Sequence, residues 1–553
     1  MADTTEMTVD EAVCAILSEY GVEYVFGMRI YTDLDVTRTK PIGVHYEASA
    51  ELMAYGFARV SGKPGVCAIN RPGTPNALMG LAEASNSSVP IIVLLDGLPA
   101  AMEGKNALYA YDQVSMMRPL AKSVEVVDVP SQMPDKLRRA FRIATSGRPG
   151  PVVVIPRGIA SQRIPDPALF AEEQFAAFPA TRIAPDPALV LQAVRLLMDA
   201  ERPCIVAGGG VNLSRAWEEL RAFADVAQIP VATTISGKGA FSEHDSLSVG
   251  AVGDIQGGRL GRGRVAAKIV RESDVVLLIG TRTNQMATNG WTVPDPASTI
   301  IHVDIDPNEI GRNYTTALGI VADAKLALSA LTTALGEQGY EPPVSRKGEI
   351  AQLLDEWARD NREGEASDAV PIQPARLIKE IRPFIGPDTI LVSDGSSPFM
   401  WASSHLKVDA GPTFISPRGT GAIGTGLPMA IGAQLAAPEK RVICLEGDGG
   451  LMCGILGELE VAARYRLPIT VVVFNNGSLL HEKNRMKGEL RDHMDFLPGL
   501  DFAMIARGLG CEGIRVERPE DLGGAIEAAV HSSATTVLDV VIDPDQGFPG
   551  APR

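Results

Sequence analysis

"EGDGGLMCGILGELEVAARYRLPITVVVFNN" spans residues 446–476. One apolar β-branched run, VICLEG (442–447), leads into it, and a second, ITVVVF (469–474), closes it. Between them LMCGILGELEVAARYR has helical spacing. Strand, turn, helix and strand make the unit of a parallel sheet, because parallel neighbours need a crossover connection. Polar signals stand at both strand ends: Asp448 between glycines, then the pair Asn475 and Asn476. In an open parallel sheet, ligands sit in the crevice beyond the carboxyl ends of the strands. Asp448 and Asn476 are therefore expected as neighbours. A carboxylate, an amide oxygen and a nearby backbone carbonyl are hard donors that suit Mg²⁺, completed by phosphate oxygens and water. Gly447, Gly449 and Gly450 let backbone approach a phosphate, and the following helix offers N–H groups to the anion. Taken singly, each signal also reads as an ordinary strand-end turn. The shared strand context unites them.

The same alternation runs through the chain. GVCAIN (65–70), IIVLLD (91–96), VVVIP (152–156), CIVAGG (204–209), VVLLIG (275–280), TIIHVDID (299–306), TILVSD (389–394) and TTVLDVVI (535–542) are apolar runs separated by amphipathic stretches. Continuous apolar strands between helices predict parallel sheets covered on both faces. Residues 163–187 and 338–372 are rich in proline and charge and read as linkers carrying some helix. The expected architecture is α/β, three doubly wound parallel-sheet domains, over 1–165, 185–340 and 370–553.

Composition narrows the function. At 553 residues, 45% hydrophobic, the chain supports several cores. No apolar run reaches the ~18 residues of a membrane span. The acidic N-terminus, MADTTEMTVDEAV, lacks the pattern of a secretory signal or transit peptide. Six scattered cysteines without a CxxC pair suggest neither disulfides nor zinc, so a reduced cytoplasmic setting is expected. A net charge of −16 argues against nucleic acid as partner.

The opening stretch resembles the cofactor motif of thiamine diphosphate-dependent enzymes, which begins at GDG and closes at NN. Within that family the resemblance leans to the acetolactate synthase and benzoylformate decarboxylase group, and it covers nearly the whole chain. HYEASAELMAYGFARVSGKPGVC (45–67) resembles the pyrimidine-domain glutamate segment. AGGGV (207–211), SGKGAF (236–241) and HVDIDPNEIGRN (302–313) resemble the central domain, and SPRGTGAIGTGLPMAIGAQ (416–434) resembles the start of the diphosphate-binding domain.

The resemblance implies thiamine diphosphate and Mg²⁺ as cofactors. It implies that Glu47 hydrogen-bonds a pyrimidine ring nitrogen and promotes an imino tautomer, whose nitrogen deprotonates the thiazolium. The resulting C2 ylid attacks a 2-oxo acid, CO₂ leaves, and the enamine is ligated or protonated. Gly421 matches the carbonyl that receives the aminopyrimidine, and Ile423 the apolar residue that bends the cofactor. Asp448, Asn476 and the Ser478 carbonyl match the metal ligands. The interval from Asp448 to Asn476 is one residue longer than usual, which leaves Asn475 as the alternative. Ser396, after the strand TILVSD, joins the expected cofactor-binding set. The glutamate of one subunit meets the diphosphate site of another in this family, implying a homodimer at least and often a homotetramer.

The substrate pocket departs from acetolactate synthases. The loop after YVFG lacks their proline–glycine–glycine. Asn70-Arg71-Pro72-Gly73 replaces their serine–glycine–proline–glycine, and Leu108-Tyr109 their phenylalanine–glutamine. Arg29 and Arg71 are candidates to hold an anionic substrate; salt-bridged arginines are the plainer reading. His481, where they carry methionine, is a candidate acid/base, and 477–498 a candidate lid. Three activities stay open: a carboligase or decarboxylase of 2-oxo acids, a benzoylformate-type decarboxylase, and a lyase or decarboxylase of oxalyl-CoA or 2-hydroxyacyl-CoA. A non-catalytic binding protein would be expected to lose Glu47 or Asp448. FAD or ADP in the central domain stays open too, since AGGGV falls short of a full dinucleotide fingerprint.

Overall fold

Each apolar run named above forms a strand in the computed structural model, which describes residues 6–29, 31–253 and 260–546. The strands build three six-stranded sheets. The first contains β1 (Tyr24–Gly27), β2 (Lys40–Gly43), β3 (Gly65–Ile69), β4 (Ile91–Leu95), β5 (Ser123–Val127) and β6 (Val152–Pro156). The second contains β7 (Cys204–Ala207), β8 (Val231–Thr234), β9 (Ser248–Val252), β10 (Val275–Ile279), β11 (Thr299–Asp304) and β12 (Leu318–Val321). The third contains β13 (Thr389–Ser393), β14 (Phe414–Ile415), β15 (Arg441–Gly447), β16 (Ile469–Asn475), β17 (Glu512–Val516) and β18 (Thr536–Val541).

The first sheet runs β2-β1-β3-β4-β6-β5 and the third β14-β13-β15-β16-β18-β17, the same order in two different sequences. The middle sheet runs β9-β8-β7-β10-β11-β12, the doubly wound dinucleotide-fold order. All neighbours within the three sheets are parallel. Strand order reverses between β1 and β3, between β7 and β10, and between β13 and β15, which marks three crevices at carboxyl ends.

The chain forms two compact units. One holds residues 1–181, 417–439 and 452–467; the other holds 182–416, 440–451 and 468–553. In the first, helix α1 (Glu47–Ser61) is buried along nearly its whole length. Helix α2 (Thr74–Asn86) and helix α3 (Gly426–Ala436) belong to the same unit. Two glycines let α1 and α3 cross with their backbones nearly touching. A Cβ at Gly56 would lie 2.1 Å from the Met429 carbonyl oxygen, and one at Gly432 would lie 2.0 Å from that of Met53. Gly432→Ala is therefore expected to destabilise the protein by about 1–3 kcal/mol or more, since backbone cannot yield as a side chain can. Gly336→Ala, in helix Ala324–Glu337 with nothing within 4 Å, is expected to stabilise by up to ~1 kcal/mol. Denaturant midpoints of the two variants check the contrast.

The two proline-rich stretches differ from a bare linker. Residues 338–372 are mostly one 19-residue helix, Lys347–Glu365, whose Trp357 and Asn361 side chains bond the Leu260 carbonyl. Residues 163–187 open with a short strand, Arg163–Pro165, paired antiparallel with Glu6–Thr8. The helical stretch after Asp448 is broken in two, Asp448–Met452 and Glu458–Arg464, with glycines at 454 and 457 between them.

Candidate active site

β15 and β16 pair in register from Val442↔Ile469 to Gly447↔Phe474, so their carboxyl ends finish side by side. This brings Asp448 and Asn476 together. Asp448 is buried; its Oδ2 accepts the backbone N–H of Asn476 at 2.9 Å and of Gly477 at 2.7 Å. Its Oδ1 accepts the Gly449 N–H at 2.8 Å. Burial pushes the carboxyl up to about 6, against the pull of those N–H groups.

The two asparagines face different partners: Asn475 is the last residue of β16, and Asn476 stands just beyond it. Asn475 Nδ2 donates to Asp539 Oδ1 at 2.8 Å and to the Leu500 carbonyl at 3.2 Å. Asp539 is itself fully buried on β18 and also accepts from Arg515 and the Phe502 N–H. Asn476 Oδ1 instead accepts from the backbone N–H and hydroxyl of Ser478, at 3.1 and 2.9 Å.

The glycines of the turn are tightly packed. A Cβ at Gly450 would lie 2.1 Å from Asp394 Oδ2, and one at Gly449 would lie 2.6 Å from Leu479 Cδ2. Across the reversal point, Ser396 precedes helix Ser397–His405 with φ +64, a conformation that costs a non-glycine residue about 1–3 kcal/mol. The donors assembled here are oxygens and backbone N–H groups. Asp448 is anionic, the amide and carbonyl oxygens are hard, and glycines line the turn. This chemistry fits Mg²⁺ with a diphosphate.

Residues 477–498 form a loop whose ends are joined. Phe496 N–H donates to the Gly477 carbonyl at 2.8 Å, Leu479 N–H to the Met494 carbonyl at 2.9 Å, and Lys483 pairs with Asp495. His481 is exposed on its short helix, Leu480–Lys483.

In the other unit, Glu47 is the first residue of α1 and is buried. Its Oε2 accepts from Asn76 Nδ2 at 2.9 Å. Its carboxyl lies so close over the Arg71–Gly73 turn that a Cβ at Gly73 would sit 2.3 Å from Oε1. Arg71 donates to Asp96 Oδ2 at 3.2 Å and to the Gly97 carbonyl at 3.0 Å. Arg29 donates to both Asp10 oxygens at 3.0 Å. Both guanidiniums are thus ion-paired within the domain. Gly421 is exposed with φ +71, and Ile423 is half-buried.

Sequence reasoning missed four polar side chains: Asn76, Glu83, Asp539 and Glu51. Asn76 and Glu83 stand seven residues apart in NALMGLAE, a helical interval on an apolar helix, and that was the available signal. Glu51 follows Glu47 by one turn and is completely buried. Burial raises its carboxyl well above the usual range, the Glu47 charge adds to this, and the Leu81 backbone opposes it. In the unfolded chain Glu51 ionises through about pH 4.5, whereas in the native protein burial moves its ionisation to higher pH. Native stability therefore falls as pH rises above that value, by about 1.4 kcal/mol per unit until the native group titrates. Glu51→Gln removes this term. Its thermal stability is expected to exceed the native protein's by a gap that widens as pH rises above the ordinary carboxylate range.

In the central sheet, AGGGV serves backbone contact. Gly208 N–H donates to the Ile279 carbonyl at 2.8 Å, Gly210 N–H to the Gly280 carbonyl at 2.9 Å, and a Cβ at Gly208 would lie 2.1 Å from the Gly280 oxygen.

Three such sheets, with polar groups gathered at adjacent strand ends, define the class of α/β cofactor-binding enzymes. Comparison with known proteins is specific. Residues 7–116, 190–331 and 394–540 match, respectively, the N-terminal TPP binding, central and C-terminal TPP binding domains of thiamine pyrophosphate enzymes. A probable acetolactate synthase large subunit of Methanococcus aeolicus is 31% identical, over 98% of this chain and 93% of the relative. The acetolactate synthase large subunit of Parasynechococcus marenigrum is 32% identical over 96% of this chain and 86% of its own. That of Haemophilus influenzae is 30% identical over 96% and 94%. This chain belongs to the thiamine pyrophosphate-dependent enzyme family, in its acetolactate synthase group. It is an enzyme that uses thiamine diphosphate on a small-molecule substrate. No helix among the described residues is long and apolar enough to cross a membrane.

Proposed function

We propose that this enzyme is a Mg²⁺-dependent carboligase or decarboxylase acting on a 2-oxo acid, as the names of its relatives suggest. The observation that carries the reading is the pair of N–H bonds from Asn476 and Gly477 to Asp448, which ties the two strand-end motifs together. In this reading Asp448, the Asn476 side-chain oxygen and the Ser478 carbonyl hold Mg²⁺. Ser396, Gly447, Gly449 and Gly450 take the diphosphate. Asn476 is the better ligand of the two asparagines, because Asp539 already engages Asn475. Glu47 keeps a proton at the pyrimidine ring nitrogen, the Gly421 carbonyl accepts the 4′-amino group, and Ile423 supports the bent cofactor. When bound, thiamine diphosphate supplies the nucleophilic carbon and the electron sink for loss of CO₂.

Arg71 orients the substrate carboxylate while remaining on Asp96, His481 exchanges protons with the substrate, and the 477–498 loop excludes water when closed. The strand ends of the central sheet, beside Asp304, are where FAD or ADP would bind if the domain takes a nucleotide. The domains run over 1–165, 185–340 and 370–553, and the enzyme is cytoplasmic. It assembles as a homodimer at minimum, and as a homotetramer in the fuller form. Exposed apolar residues on one segment support assembly: Met102, Leu108, Tyr109 and Tyr111.

The test is a titration of metal-stripped protein with thiamine diphosphate and Mg²⁺, then a screen of 2-oxo acids for CO₂. Acetolactate or acetoin from pyruvate supports ligation. Free aldehyde moves the assignment to a simple decarboxylase. Cofactor binding with no CO₂ from any 2-oxo acid overturns the substrate class and points to acyl-CoA lyase chemistry.

A further inference from the structure

Helix α2 carries Asn76 and Glu83 two turns apart on one face. Asn76 is bonded to a residue of the proposed cofactor site, and Glu83 to the turn that leads into another. Asn76 donates to Glu47. Glu83 is fully buried and reaches a turn 336 residues away in sequence, where its Oε1 accepts the Gly419 N–H at 2.8 Å. Its Oε2 accepts both the backbone N–H and the hydroxyl of Thr420, at 2.7 and 2.8 Å. Ser87, the residue just after α2, donates its hydroxyl to Oε1 at 2.7 Å. Two donors thus converge on each carboxylate oxygen. The backbone is pressed onto the helix as well: a Cβ at Gly419 would lie 2.6 Å from the Glu83 carbonyl oxygen. Two residues further on, Gly421 has nothing within 4 Å of a Cβ position. The turn is clamped at 419–420 and open at 421.

We propose that Glu83 is a positioning residue for the aminopyrimidine of the cofactor. Acting through Thr420, it fixes where the Gly421 carbonyl stands, while Asn76 on the same helix fixes the Glu47 carboxylate. α2 thereby braces both Gly421 and Glu47 of its own chain, which in the proposed dimer serve two neighbouring cofactor rings. The proposal rests on the reading of Glu47 and Gly421 given above. A carboxylate is required for the clamp, because four donors need four lone pairs and a glutamine amide would turn an N–H₂ group toward two of them.

The experiment compares thiamine diphosphate with its 4′-deamino analogue on the full-length protein at saturating Mg²⁺. Affinities are read by tryptophan fluorescence, for the native protein and Glu83→Gln. The native protein is expected to bind thiamine diphosphate the more tightly. Glu83→Gln is expected to lose roughly tenfold in affinity for thiamine diphosphate and to keep its affinity for the analogue, since only the former uses the Gly421 carbonyl. An equal loss for both ligands, or a loss for neither, overturns the proposal and leaves Glu83 a structural residue. A native protein that binds both ligands equally removes the Gly421 reading instead. If Glu83→Gln does not fold, Thr420→Val deletes one donor and is expected to give the same selectivity at roughly threefold.

Discussion

Asp448→Ala is expected to abolish Mg²⁺-dependent binding of thiamine diphosphate, with at least a ~100-fold loss of affinity, more than loss of a supporting residue costs at a metal site. The expectation has two parts. The variant loses the only formal negative charge among the three proposed ligands, and Mg²⁺ at these sites depends on carboxylate and phosphate charge. It also strips the turn of its organiser, because Asp448 accepts N–H groups from Gly449, Asn476 and Gly477. Each buried donor left without an acceptor costs about 1–3 kcal/mol. The metal-free variant should therefore also melt below the native protein. Asp448→Asn separates the parts. It keeps the shape and most acceptors, so stability should largely return while metal affinity stays low. Isothermal titration of stripped protein with Mg²⁺ and cofactor checks this, and native-like affinity in Asp448→Ala would sink the ligand assignment.

Glu47→Gln is expected to bind thiamine diphosphate within about threefold of the native affinity, and to slow exchange of the cofactor C2 proton by at least ~100-fold. Binding survives because the amide oxygen still accepts from Asn76 and the side chain keeps its volume above Gly73. Exchange fails because an amide cannot hand a proton to the pyrimidine nitrogen. Exchange measured by NMR in D₂O gives the rate directly, without a substrate. An unchanged rate removes Glu47 from the proton path, whatever happens to turnover.

The legible part of the site was the part written in one continuous stretch. GDG and NN lie on consecutive strands, and parallel pairing of such strands puts their ends together, so Asp448 and Asn476 follow from local pattern. The different surroundings of Asn475 and Asn476 come from β18, which brings Asp539 under Asn475 and leaves Asn476 on the Asp448 side. Arg71 reads in sequence as an anion hook or, more plainly, as a salt-bridged arginine; in the fold, the end of β4 places Asp96 against it. The stretch 338–372 reads as a linker carrying some helix, because charge and proline dominate its ends. Packing of Trp357 and Asn361 stabilises the long helix between them.

By itself the sequence determined the element types, the parallel character of the sheets and the cofactor class. These depend on apolar periodicity and on residue chemistry at strand ends, both properties of neighbours along the chain. Tertiary structure alone decided that the two outer sheets share one strand order. It also decided that glycines 56 and 432 are contact points between helices, and that Glu83 clamps the Gly419–Thr420 turn. Those facts join residues hundreds of positions apart. A carboxylate on a helix carries no mark of the distant N–H groups it will accept until the chain has closed around it.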